Sequence, residues 1–195
     1  MDTSTISPVT VYTEMTPNPE SMKFVADRML LPHANVEFTD VSTAANSPLA
    51  TELFGFPFVR TVFIMNNFVT LTKQLDTEWT DVIPDMRDFI KKYLEEKKPV
   101  FTKEFVPVNK NEINAEDESE VIMKIKEMLD NYVKPAVEMD GGAIQFKSYH
   151  EGKVTLMLQG SCSGCPSSVV TLKSGIEGLL KRMVPEVTEV VAESE

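Results

Sequence analysis

The chain has 195 residues with 42% hydrophobic and 25% charged residues, values typical of a soluble globular protein with one large domain or two small ones. Its formal net charge of -11 argues against nucleic-acid binding, which requires clustered Lys and Arg to neutralise phosphates. No apolar run approaches the roughly 20 residues that span a bilayer. The N-terminal MDTSTISPVT lacks a basic segment followed by an apolar stretch, and it contains Asp2 but no Arg, which argues against a secretory signal or a transit peptide. We therefore expect a cytoplasmic protein that binds neither nucleic acid nor membrane.

Strand-forming segments dominate the first part of the chain. Runs that are rich in β-branched and aromatic residues, or otherwise strand-like, occur at 21–27, 35–40, 59–65 and 68–72. The last two runs are separated only by Asn66 and Asn67. Because Asn tolerates positive φ, we predict a two-residue hairpin turn at this pair.

Two helices are predicted around these strands. Ser47 and Pro48 are suited to begin a short helix, which Gly55 would end. A second helix is indicated by apolar residues at helical spacing between 79 and 93. Pro84 lies inside this pattern, and a proline beyond the first turn kinks a helix, so we expect the helix to begin close to Pro84.

The composition shifts in the middle of the chain. Residues 97–119 contain two prolines, scattered charges and weak periodicity, which indicates a linker with a short strand at 100–106. We therefore divide the chain into a first domain at 1–100, a linker at 101–118 and a second domain at 119–195.

The second domain shows a helix, a hairpin and a further helix in chain order, which makes it an α+β unit. A helical stripe of apolar residues starts after Ser119, a suitable N-cap, and ends at Pro135. Strand-like runs at 143–149 and 154–158 are joined by a turn that contains a glycine. An amphipathic helix follows the cysteines, and a short final strand is predicted at 187–191.

The chain has two cysteines, Cys162 and Cys165, and both lie in the segment GSCSGCPSS. This segment falls between a predicted strand and a helix, whose first position suits Pro166. The free N–H groups and the positive dipole end of that helix stabilise thiolates. Because thiolates bind metals and attack disulfides, the pair indicates metal or redox chemistry more than a structural role.

Three interpretations of the pair remain open from the residues themselves. A dithiol oxidoreductase of thioredoxin type has the same strand-to-helix setting, but it needs more strands after the helix than the few residues beyond Met183 provide. An iron–sulfur cluster or a structural zinc typically takes four protein ligands, whereas one chain offers two thiols. His33 and His150 are too isolated to join them. A second copy of the same loop, or small external thiols, would complete the metal site.

Several motifs carry a resemblance to a known family. VKPAVEMDGGAIQF from residue 133 and LQGSCSGCPSSVVTLKSGIEGLLKRMVPEV from residue 158 resemble the C-terminal domain of NifU, which the Nfu iron–sulfur carriers share. TEMTPNPESMKF from residue 13, LFGFPFVRTVFIMNNFVTLTK from residue 53 and Trp79 are similar to the Nfu N-terminal domain. We interpret the Asp-Gly-Gly at 140–142 as a structural turn with backbone freedom, close to the cysteine loop.

The resemblance implies an α+β protein of two small domains. These are an N-terminal α/β domain of Nfu type with a mostly antiparallel sheet and a C-terminal helix–hairpin–helix domain of NifU type. It also implies a non-enzymatic carrier in which Cys162 and Cys165 from each of two protomers ligate one shared [4Fe-4S] cluster. The loaded form would be a homodimer that receives its cluster from an upstream scaffold and passes it to apo iron–sulfur client proteins. The first domain would recognise the partners.

Overall fold

The computed structural model describes residues 8–103, 105, 119–163 and 166–194, with side chains described except at 166–168 and 194. The chain divides into two compact units, Met1–Pro107 and Val108–Glu195, and each unit has its own hydrophobic cluster. Within the described residues, no helix combines the length and the apolar character that crossing a membrane requires.

The first unit is built on a five-stranded sheet. Its strands are β1 (Val11–Met15), β2 (Ser21–Ala26), β3 (Leu31–Phe38), β4 (Val59–Asn66) and β5 (Phe68–Lys73). They lie in the order β1-β2-β5-β4-β3, and every neighbouring pair is antiparallel, as predicted. β4 and β5 form the predicted hairpin, in which Asn66 has a φ of 47°. β1 is absent from the sequence prediction because most of its residues are exposed or half-buried, so it lacks an apolar run.

The short helix α1 (Pro48–Leu53) begins where the sequence predicts. The hydroxyl of Ser47 caps it by accepting a hydrogen bond from the backbone N–H of Ala50 at 3.2 Å. Ser47 also donates a hydrogen bond to the carbonyl oxygen of Val100 at 2.8 Å. The same side chain therefore starts a helix and fixes a segment far along the chain.

The long helix α2 (Trp79–Glu95) starts before Pro84, so the expected start near Pro84 is wrong. Trp79 holds the first turn in place. Its indole N–H donates a hydrogen bond to the carbonyl oxygen of Pro19 at 3.1 Å, and its ring packs edge-on against Phe24 with centroids 6.4 Å apart. These tertiary contacts offset the backbone hydrogen bond that Pro84 lacks.

The segment after α2 packs against the core of the first unit, to which it belongs. Val100, Phe101 and Phe105 are partly buried against its core, and the two phenylalanine rings stack with centroids 4.1 Å apart. Residues 100–103 form no strand, and the rest of the predicted strand at 100–106, apart from Phe105, lies outside the described residues. The apolar side chains of this segment therefore belong to the core of the first unit.

The second unit opens with a long helical segment. α3 (Glu120–Met128) is capped by Ser119, whose hydroxyl accepts from the Ile122 N–H at 3.4 Å. A π-helical turn (Leu129–Val133) leads into α4 (Lys134–Met139), so the predicted end at Pro135 is wrong. The proline falls in the first turn of α4, where a backbone N–H is not needed, and the wider π turn absorbs the change of register.

The rest of the second unit is a three-stranded sheet with one more helix. β6 (Gly142–His150) and β7 (Lys153–Gly160) form an antiparallel hairpin, and α5 (Pro166–Met183) follows. β8 (Glu189–Ser194) returns to pair with β7 in parallel. The final strand is thus present, starting two residues later than predicted. Its parallel pairing has no local signal in the sequence.

Candidate functional site

Cys162 lies in the turn that follows β7, and its side chain is buried. Gly160 ends the strand with a φ of 68°, a left-handed conformation that turns the chain out of the sheet. Cys162 is 8% exposed and belongs to the hydrophobic cluster of the second unit, together with Leu158 and Ile176. The first predicted ligand therefore sits at the end of a sheet and at the edge of a core.

The second predicted ligand, Cys165, lies outside the described residues, as does Gly164. The start of the following helix is confirmed, because α5 begins at Pro166. Cys165 thus immediately precedes the N-terminus of α5 in the sequence, where unpaired N–H groups and the helix dipole favour a thiolate. The distance between the two sulfur atoms stays a prediction from their spacing.

The turn from Asp140 to Gly142 is joined directly to the start of the cysteine turn. Gly141 ends α4 with a φ of 81°, and Gly142 pairs with Gly160 at the end of the β6–β7 ladder. Ser161 then donates two hydrogen bonds to this turn. Its backbone N–H reaches the Gly141 oxygen at 3.2 Å, and its hydroxyl reaches the Asp140 oxygen at 2.6 Å.

Gly142 is in close contact with the thiol of Cys162. A Cβ atom at Gly142 would lie 2.8 Å from the Cys162 sulfur and 2.7 Å from the Gln159 carbonyl oxygen. Real Cβ atoms essentially never approach other heavy atoms this closely. The sequence singles out the Asp-Gly-Gly turn but not this steric role, and it marks Ser161 only as a small residue of the cysteine loop, without its hydrogen bonds to the turn. The one local signal for the steric role is that Gly142 is a second glycine, directly after Gly141, which ends α4.

Neither histidine belongs to this turn. His150 is at the opposite end of the β6–β7 hairpin from Gly142, about 25 Å away at about 3.3 Å per residue, and its side chain is exposed. His33 is an exposed residue of β3 in the first unit, with a φ of 58°. Among the residues that the structure describes, no three His, Cys, Asp or Glu side chains are grouped so that they could hold a metal ion.

A groove of about 170 Å³ lies between the α3–α4 helical segment and β6 in the second unit. It is lined by Leu129 and Phe146 together with Lys126, Asp130 and Lys134, the last two forming an ion pair at 2.5 Å. Small-molecule sites usually have volumes of roughly 300–1,000 Å³. The groove is too small to rival the cysteine turn as the main site.

Glu177 ties α5 to the last strand of the sheet. Its carboxylate accepts hydrogen bonds from the Lys181 ammonium at 2.5 Å and from the Val190 backbone N–H at 3.1 Å. These two bonds, the lysine first, hold the pKa of Glu177 below its usual value. The helix that follows the cysteines is therefore fixed at its middle to β8.

The sequence matches two family models, one in each unit. Residues 11–97 match the family described as "Scaffold protein Nfu/NifU N terminal", and residues 125–191 match the family described as "NifU-like domain". The second match includes both cysteines and the Asp-Gly-Gly turn.

Curated relatives resemble nearly the whole chain. The protein named "NFU1 iron-sulfur cluster scaffold homolog, mitochondrial" from Homo sapiens is 38% identical over 178 residues, which are 91% of this chain and 69% of the relative. The protein of the same name from Drosophila ananassae is 41% identical over 181 residues, which are 92% of this chain and 63% of the relative. The chain thus spans about two thirds of the length of these relatives.

Among solved structures, a solution structure of a NifU-like protein from Saccharomyces cerevisiae covers 53% of this chain and 92% of its own, with 24% identity. Its TM-score of 0.45 is too low to establish a shared fold.

Proposed function

The chain belongs to the Nfu family, and on this basis we propose that it is an iron–sulfur cluster carrier. Cys162 and Cys165 from each of two protomers ligate one shared [4Fe-4S] cluster, which the loaded homodimer transfers to apo-proteins. The protein performs no catalysis. The observation that carries this proposal is that the chain's whole supply of thiols lies in one four-residue motif inside the NifU-like match.

The number of ligands supports a site shared by two chains. An iron–sulfur cluster is commonly held by four thiolates, and each chain supplies two. Met139, which directly precedes the Asp140 turn, is 75% exposed, and Val170, in the first turns of α5, is 62% exposed. Both apolar side chains are exposed and available for contact with a second copy.

The same stoichiometry suits transfer. When two protomers separate, the cluster loses half of its protein ligands, so thiolates of an acceptor protein can replace them stepwise. A cluster enclosed by four cysteines of one chain would not be released in this way. We therefore assign delivery, rather than electron transfer, to the site.

The first unit is proposed to recognise partners. β1 and β5 are both antiparallel to β2, so they run in the same direction and their C-terminal ends lie at the same end of the sheet. Met15 at the end of β1 is 86% exposed, and Leu75 just after β5 is 76% exposed. Two exposed apolar side chains at the same end of the sheet favour a contact with another protein.

Anaerobic reconstitution with iron and sulfide tests the carrier function. We expect a brown protein with about four irons and four sulfides per dimer and a mass that shifts toward the dimer. Cys162→Ser and Cys165→Ser should each abolish loading, because two thiols per dimer are too few. Gly178→Ala is the matched control, since a Cβ there has open space within 4 Å. A Cys162→Ser protein with a full cluster content contradicts the assignment.

Two other functions give different results in the same assay. A dithiol oxidoreductase would show a reversible Cys162–Cys165 disulfide, reduction of insulin-like substrates and no cluster absorbance. A dimer with structural zinc would be colourless and would unfold when chelator is added. Iron, zinc and acid-labile sulfide analysis of protein purified without oxygen separates all three.

Partner recognition has its own test. Met15→Ser combined with Leu75→Ser should slow cluster transfer to an apo-acceptor without changing the amount of cluster loaded. Met29→Ser is the control, because Met29 is 56% exposed but follows β2 at the opposite end of the sheet. Equal transfer rates in all of these proteins would contradict a role of this end of the sheet in partner recognition.

The cytoplasmic location expected from the sequence stays a prediction, whereas the names of the human and fly relatives assign those proteins to mitochondria. Fractionation of cells that express a tagged full-length chain tests it.

A further inference from the structure

We propose that the turn from Asp140 to Gly142 positions the thiol of Cys162, with Gly142 as the decisive positioning residue. The proposal deepens the proposed function and rests on it in one respect: a thiolate that shares a cluster with a second chain must meet iron at a defined place. The position of the thiol itself is measurable without any cluster.

The steric argument starts from the space that Gly142 leaves open. A Cβ atom there would lie 2.8 Å from the Cys162 sulfur, 2.7 Å from the Gln159 oxygen and 3.2 Å from the Cys162 nitrogen. Gln159 is part of the β6–β7 ladder, where it pairs with Ala143, so its carbonyl is held by the sheet. The thiol is the end of a side chain with one rotatable bond. An alanine at 142 is therefore expected to displace the sulfur and to strain the last pair of the ladder.

Hydrogen bonds hold the glycine turn and the cysteine turn together. Ser161 is 2% exposed and donates from its backbone N–H to Gly141 and from its hydroxyl to Asp140. The same hydroxyl oxygen is 3.8 Å from the Cys162 sulfur. Since both bonds come from the residue next to Cys162, the place of the thiol depends on the Asp140 turn.

A second glycine of the same hairpin separates positioning from ordinary packing strain. Gly152 has a φ of 84°, and a Cβ there would lie 2.7 Å from the Thr188 hydroxyl and 2.9 Å from the Glu186 oxygen. It is as crowded as Gly142 but lies at the opposite end of β6 and β7. Both alanine variants should therefore lose stability, and only Gly142→Ala should alter the thiol.

The experiment uses the full chain with Cys165→Ser, in which Cys162 is the only thiol. The rate of alkylation of Cys162 by iodoacetamide is followed by mass spectrometry, at temperatures equally far below each protein's Tm. We expect Gly142→Ala to raise the rate about tenfold, because reactivity follows exposure of the thiol. Gly152→Ala and Gly178→Ala should leave it within about twofold of the parent.

A milder pair of variants covers the case in which Gly142→Ala does not fold. Ser161→Ala removes the hydroxyl bond to Asp140, whereas Ser163→Ala removes a 2.8 Å hydroxyl bond to Gly160 within the cysteine turn itself. Ser161→Ala should raise the alkylation rate several-fold, and Ser163→Ala should raise it less. Equal rates in these two proteins overturn the proposal, as does a Gly142→Ala rate no higher than that of Gly152→Ala.

Cluster loading of the same variants with both cysteines present gives the link to function. Gly142→Ala should hold less iron and sulfide after reconstitution than Gly152→Ala at matched stability. If the parent protein takes up no cluster, the carrier function fails, while the alkylation rates still decide whether Gly142 positions the thiol.

Discussion

The two units close the end of a sheet in opposite ways. In the first unit, the loop between β1 and β2 is closed by side chains. Asn18 is fully buried, its side-chain oxygen accepts from the Glu20 N–H at 2.9 Å, and Trp79 donates to the Pro19 oxygen. In the second unit, the turn that leads into β6 contains Gly141 and Gly142, which have no side chains, and Ser161 of the neighbouring turn holds it by hydrogen bonds.

The loop between β1 and β2 and the turn that leads into β6 are suited to different roles. A loop filled by its own side chains is a fixed surface, on which other residues such as Met15 can be displayed. A turn made of glycines leaves a space, and here the thiol of Cys162 occupies it. The thiol of Cys162 therefore lies against a glycine, whereas the end of the first unit's sheet carries larger side chains such as Met15.

Truncation of one core leucine in each unit should give the largest effect and should distinguish the roles of the two units. Leu71 in β5 and Leu156 in β7 are both fully buried, and Leu→Ala at such sites costs about 2–5 kcal/mol of unfolding free energy. Urea unfolding should show this loss in both variants. We expect Leu156→Ala also to lose cluster content after reconstitution, because Leu156 and Cys162 share one apolar cluster. Cluster content that falls equally in Leu71→Ala would contradict the contrast between the units.

Ser47 gives a smaller and purely structural effect. Ser47→Ala removes both the cap of α1 and the hydrogen bond to Val100, and each such loss costs about 1–2 kcal/mol. The change should appear as a lower Tm, with the alkylation rate of Cys162 unchanged. Thr43→Ala is a suitable control, because its hydroxyl bond to Asp40 is exposed. A Ser47→Ala protein as stable as this control would show that neither the cap nor the hydrogen bond to Val100 contributes to stability.

Tyr93 should make the first unit sensitive to alkaline pH. Burial, aided by the charge of Glu52, raises the pKa of Tyr93 to about 12 from its usual value of 10, and its hydroxyl donates to the Pro99 oxygen. The raised pKa means that the unfolded chain loses this proton first, so stability is full below pH 10 and falls between pH 10 and about 12. Tyr93→Phe should flatten the Tm profile in this range. An unchanged slope would contradict the assignment.

Glu177 should give the second unit a small sensitivity to acid, the smallest effect of the four. Its lowered pKa means that its contribution is present above the ordinary glutamate pKa of 4.5 and is lost as pH falls through the folded-state value below it. Glu177→Gln should remove this acid dependence, and it should lower the Tm at pH 7 slightly, because the small contribution of the ionised carboxylate is fully present at that pH. Glu189→Gln, at the start of β8, is the control. If the two variants share one pH profile, the hydrogen bonds of Glu177 to Lys181 and Val190 have no energetic role.

Local signals in the sequence determined many of the elements and the family motif. The Asn66–Asn67 turn, the caps at Ser47 and Ser119 and the start of α5 at Pro166 all follow from the chemistry of one or two neighbouring residues. The same holds for the cysteine pair, because its spacing is visible in the sequence without knowledge of the fold. These features depend on residues close in sequence, so the sequence alone contains them.

Tertiary structure decided what depends on residues far apart in the chain. The hydrogen bond from Trp79 to Pro19 holds the first turn of α2, so that the helix begins before Pro84. β8 pairs in parallel with β7, although a whole helix separates the two strands in the chain. Gly142 meets the Cys162 thiol across twenty residues because β6 and β7 pair along their full length. Such contacts come from burial and strand register, which no local pattern specifies, and so the sequence could name the cysteines but not the glycine that makes room for one of them.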